Sequence, residues 1–105
     1  MSEMLIATVQ SSNKPLPGQG WRSSDDFGTT LAPPNTKYLR WDIDPNTPNP
    51  EDIVFDVAED HSGKDKTVFT NIMSGNRTTF DRYDKLYIGN PRAAAPFTVK
   101  VFAIY

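Results

Sequence analysis

The sequence predicts an all-β chain: a single-domain antiparallel β-sandwich or jelly roll of about seven short strands, with a long irregular N-terminal arm or loop. Two observations carry this. Apolar residues alternate with period two in run after run, and the runs are punctuated by Pro, Gly, Asn and Asp. No window shows the spacing of an amphipathic helix.

Each run can be justified in order. Glu3 to Gln10 places Met4, Ile6 and Thr8 opposite Leu5, Ala7 and Val9, so both faces are mostly apolar and a strand covered on both sides is expected. Ser11 to Thr36 holds four of the nine prolines and three of the six glycines, and reads as irregular. Lys37 to Ile43 turns Leu39, Trp41 and Ile43 to one side and Tyr38, Arg40 and Asp42 to the other, a strand with one wet face. The Pro-rich stretch Asp44 to Pro50 forbids helix and central strand alike.

Ile53, Phe55 and Val57 then alternate with Val54, Asp56 and Ala58, and a polar turn around Gly63 follows. In the next run Val68, Thr70 and Ile72 share a face opposite Phe69, Asn71 and Met73. A short strand over Arg77 to Phe80 leads to the chain's end, where two apolar runs flank Gly89-Asn90-Pro91 and a small-residue loop. These predict an antiparallel hairpin, with Phe97, Val99, Val101, Ala103 and Tyr105 on one face of its second strand.

A chain of 105 residues supports one core. Its 11 Lys and Arg against 13 Asp and Glu form no long block of either sign, which argues against nucleic acid and against a membrane surface as partners. The first residues lack a basic leader and include Glu3, so no secretory signal is expected and the chain is read as soluble. No cysteine is present, which removes disulfides, thiolate metal sites and thiol nucleophiles.

No catalytic spacing stands out, so the chain is read as non-enzymatic, without cofactor. Asp42, Asp44 and Asn46 begin like a calcium loop, but Thr47 stands where the sharp-turn glycine belongs and Ile53 where the closing glutamate belongs, so solvated turn carboxylates are expected and no metal is assigned. His61, the single histidine, sits in a polar turn and reads as exposed. Trp41 reads as core.

The irregular segment from 11 to 36 carries few apolar groups, namely Leu16, Trp21, Phe27 and Leu31. Ordering each residue costs about 1 to 2 kcal/mol of backbone entropy, so a neighbouring subunit is expected to hold this arm, with Trp21 and Phe27 as anchors. Self-association into a homo-oligomer or larger assembly follows, and protein subunits are the expected partners. In general style, a compact sandwich with an extended arm resembles the small β-rich proteins that decorate or cement viral capsids, which implies a virion structural role. The alternative is a lectin-like or toxin-associated sandwich that binds a glycan through loop aromatics, with Asp42, Asp44, Asn46 or Asn90 as hydroxyl partners.

Overall fold

The computed structural model describes all 105 residues. Seven strands form, β1 Glu3–Ser11, β2 Tyr38–Ile43, β3 Val54–Glu59, β4 Lys66–Ile72, β5 Asn76–Thr79, β6 Leu86–Arg92 and β7 Phe97–Ile104, with one 3-10 turn at Pro50–Asp52. They pair antiparallel in two sheets, a four-stranded β1-β7-β2-β5 and a three-stranded β4-β3-β6. The all-β sandwich expected from the alternation is what the chain adopts.

The core lies between the sheets. From the first come Leu39, Trp41, Ile43, Phe97, Val99, Val101 and Ala103, and from the second Phe55, Val57, Ile72, Leu86 and Ile88. Trp41 is fully buried and meets the rings of Phe27, Phe55 and Phe69 edge-on at 6.0, 6.2 and 5.9 Å. Its indole N–H, which burial would otherwise leave unpaired, donates to Thr78 Oγ1 at 2.9 Å.

Four expectations need correction. The two terminal runs are not a hairpin, because β6 belongs to the three-stranded sheet and β7 to the four-stranded one. Their apolar faces meet across the core, and residues 93–96 carry the chain from one layer to the other. Gly89, Asn90 and Pro91 sit within β6, where Asn90 adopts φ 48° and the pairing with β3 shifts register.

Strand β1 is covered on one face only. It is an edge strand in which Ile6 is an extra residue between the pairs Leu5–Phe102 and Ala7–Val101. That bulge swaps the alternation midway, so Ala7, Val9 and Ser11 face the core beyond it while Met4 and Leu5 remain 42% and 47% exposed. In β4 a similar irregularity at Asn71, φ 56°, brings Phe69 opposite Val57 and Ile72 opposite Phe55. Two residues three apart therefore both meet the core, and the strict alternation read from the sequence fails there.

The fourth correction concerns residues 11–36, which do not extend away as an arm. They fold along the free edge of β6: Ser23 N–H donates to Ile88 O at 2.8 Å, Ile88 N–H to Ser24 Oγ at 2.8 Å, and Phe27 and Leu86 exchange both backbone bonds at 2.7 and 2.8 Å. Further on, Thr29 N–H donates to Tyr83 O at 2.9 Å, and Tyr83 N–H to Thr29 Oγ1 at 2.9 Å. Ser23, Ser24 and Thr29 are buried, and their hydroxyls supply bonds that an irregular backbone cannot. Polar side chains hold this segment to its own domain, a contribution that a count of its apolar residues misses.

Candidate functional site

On the outer face of the three-stranded sheet, Tyr87 of β6, Ala58 of β3 and Thr67 of β4 stand in one cross-strand row. The neighbouring row pairs Asp56 with Gly89. The missing side chain at Gly89 leaves a notch that the Trp21 indole fills: a methyl group there would overlap the indole at Cε3 and Cζ3. Gly89 is thus required for space.

Trp21 meets Tyr87 edge-on, with ring centroids 6.0 Å apart. Beside it the Arg22 guanidinium lies 4.0 Å from the Tyr87 ring centroid and pairs with Asp26 and Asp60, each at 2.7 Å. The Tyr87 hydroxyl donates to Asp65 Oδ2 at 2.6 Å, and His61 N–H donates to Asp65 Oδ1 at 3.0 Å. Burial, aided by Asp65 as acceptor and as a nearby charge, pushes the Tyr87 phenol up to about 12. Asp65 is held below the usual carboxylate range, first by the Tyr87 hydroxyl and then by the His61 N–H.

These residues border a recess of about 240 Å³ lined by Trp21, Ala58, Asp65, Thr67 and Tyr87. The Trp21 indole N–H and the Thr67 hydroxyl make no hydrogen bond within the chain.

Further along the same face, Asp56 is buried as a hub. It accepts bonds from Asn71 N–H at 2.8 Å, from the Asn90 amide at 2.9 Å and from Arg92 at 3.3 and 3.4 Å. Burial pushes its carboxyl up, but the Asn71, Asn90 and Arg92 contacts outweigh burial and hold it below its ordinary value. Both asparagines have positive φ, so one carboxylate ties down two strand irregularities.

The residues singled out from the sequence are placed apart. Trp21 borders the recess, whereas Phe27 is turned inward against Trp41, so it is a core contact. Leu16 is half-buried in a separate shallow groove with Ser11, Ser23 and Asp25, and Leu31 is 71% exposed. Asp42 pairs with Arg40 at 3.0 Å on the other sheet, and Asp44 Oδ1 accepts from Asn46 N–H at 2.9 Å in a turn. Asn90 bonds Asp56, and His61, exposed as expected, bonds Glu59 at 2.7 Å. The residues missed were Asp65, Thr67 and Arg22; a glycine two positions after Tyr87, leaving a gap on the same face, was the available signal.

A second feature is the sheet edges. β5 has only four residues, β6 is covered by residues 22–27, and β4 carries Lys66 and two register shifts. β1 is different: residues 3–10 bond backbone only to β7, contain neither Pro nor Lys, and carry no charge between Met4 and Gln10.

No family model, curated protein or solved structure matches this chain. No helix is long and apolar enough to cross a membrane, and no group of three or more His, Asp or Glu side chains could hold a metal ion.

Proposed function

We propose that the protein is a structural interaction subunit that self-associates through the free edge of β1, as a component of a larger assembly. The single observation that carries this reading is that β1, a nine-residue edge interrupted only by the bulge at Ile6, leaves its outward N–H and C=O groups unpaired beside exposed Met4 and Leu5. Charged or proline residues usually guard such an edge, and here only Glu3 stands at its end.

The bulge at Ile6 restricts how a second copy can dock. Leu5 and Thr8 lie opposite Phe102 and Lys100, on the solvent side of the sheet, while Met4 and Val9 lie opposite Ala103 and Val99, on the core side. Antiparallel partners must share a face, and the two-fold pairing that spans the bulge and uses residues 3–10 of both copies sets Leu5 against Thr8, Met4 against Val9, and Glu3 against Gln10 of the second copy. No like charges meet in that register.

The strand order lends support by fold analogy. With residues 22–27 counted as a strand reduced to bridges on β6, the strand order is consistent with a double Greek-key jelly roll, an architecture used by viral capsid and lectin domains. A capsid-decorating or cementing subunit fits both observations.

The test combines light scattering over a concentration series with mixing of Leu5→Cys and Thr8→Cys variants, informative because the natural chain has no cysteine. The expected outcome is a mass of at least two copies, with the mixed disulfide dominating over disulfides between like variants. A monomer up to about 1 mM, or like-variant disulfides forming as readily as mixed ones, refutes the pairing.

A further inference from the structure

We infer that the recess beside Trp21 is a binding site for one neutral pyranose ring of a glycan. The site lies on the three-stranded sheet and β1 on the other, so this inference stands apart from the assembly reading.

Size comes first. At about 240 Å³ the recess falls just below the range of ligand pockets, roughly 300 Å³ and above, and so admits a single ring and not a chain of them. One wall is the Trp21 indole, an apolar flat surface suited to the C–H face of a sugar. Its Cε3, Cζ3 and Cδ2 atoms rest on Gly89, which seats the ring.

The polar groups then match a hydroxylated ligand. The indole N–H is a donor without a partner, and the Thr67 hydroxyl can donate or accept. Each Asp65 oxygen already accepts one bond, from Tyr87 or from His61, which leaves each a second lone pair. Sugar hydroxyls, which both donate and accept, can meet all three groups at once. Asp65 is fixed by its two existing bonds and Trp21 by its seat on Gly89, so little ordering remains for a ligand to impose.

Charge disfavours an anion, which would face Asp65. Arg22 does not line the recess and is already paired with Asp26 and Asp60, so it does not hold a cation off. The unpartnered indole N–H, a donor that a cation cannot use, favours a neutral hydroxylated ligand.

The experiment follows the indole N–H resonances of the intact ¹⁵N-labelled chain, two in number because Trp21 and Trp41 are its only tryptophans, during titration with methyl glycosides of glucose, galactose, mannose and N-acetylglucosamine. Tetramethylammonium chloride serves as the cationic probe, and Trp21→Phe assigns the signals. At least one glycoside should shift the Trp21 indole together with the Asp65 and Thr67 amides, saturably in the millimolar range, and leave the Trp41 indole unmoved. Asp65→Asn and Thr67→Val should each weaken that binding at least about threefold while the amide spectrum away from the recess stays that of the natural chain. The inference is overturned if no glycoside moves the Trp21 resonance up to about 50 mM, if tetramethylammonium binds more tightly than every glycoside, or if both variants bind as the natural chain does.

Discussion

Replacing Asp56 with alanine removes the acceptor that ties two strand irregularities together. The carboxylate is only 7% exposed and receives the Asn71 N–H at 2.8 Å and the Asn90 amide at 2.9 Å. Hydrogen bonds to a charged group contribute about 1.5 to 3 kcal/mol each. Arg92 adds little to the sum, since its side chain is 38% exposed and water can replace the carboxylate there. Two bonds at the lower value give a loss of about 3 kcal/mol.

With an unfolding entropy of about 2.1 cal/mol/K per residue, 105 residues give about 0.22 kcal/mol/K, and the melting temperature should fall by about 14 °C. The loss should also depend on pH. Asp56 is held below its ordinary value of 3.8, so its stabilisation is present above that value and disappears as pH falls through the lower, folded-state pKa. The gap between natural chain and variant should be widest near pH 7 and should narrow as pH falls below 3.8. Urea unfolding followed by circular dichroism at several pH values measures both effects. A cost under about 1 kcal/mol at pH 7, or a gap constant from pH 7 to pH 2, would refute the hub.

Two further outcomes are expected. Gly89→Ala should force the indole out of its notch and cost about 1 to 3 kcal/mol, with faster proteolysis around residues 15–21; unchanged protection there would remove the claim that Trp21 is seated on Gly89. Spectrophotometric titration should find Tyr87 ionising near pH 12, and since its folded value lies above the ordinary 10.0, stability should decline as pH rises between the two. All four tyrosines ionising together near pH 10 would contradict that.

Much of the fold was legible. β2, and β7 as far as Ala103, matched their reading because each has a neighbour on both sides and a single buried face, so hydrophobic alternation survives there: Leu39, Trp41 and Ile43 in one, Val99, Val101 and Ala103 in the other, whereas Tyr105 lies beyond the end of β7 and is only half-buried. The errors cluster where an extra residue enters a ladder, at Ile6 in β1, at Asn71 in β4 and near Asn90 in β6. Such insertions reverse the alternation beyond them, and short windows cannot tell a reversal from a change of burial.

The recess was half legible. Trp21 stood out as an indole in a Pro- and Gly-rich stretch, yet its partners Tyr87, Asp65 and Thr67 lie 44 or more positions further along the chain. Phe27 looked equivalent to Trp21, and only packing distinguished them: Phe27 exchanges backbone bonds with Leu86 and faces Trp41, while Trp21 sits over a glycine on the outer face.

By itself, then, the sequence determined the all-β class, the number of strands and the inward residues of the regular ones, because side-chain alternation and turn chemistry are local properties of the backbone. The tertiary structure alone decided that β6 and β7 part into different sheets, that β1 is left at an edge, and that residues 22–29 are held by backbone bonds and by serine and threonine hydroxyls against β6 and the segment before it. Those choices rest on which strands satisfy one another's hydrogen bonds across the chain, a competition among distant segments that no single segment records.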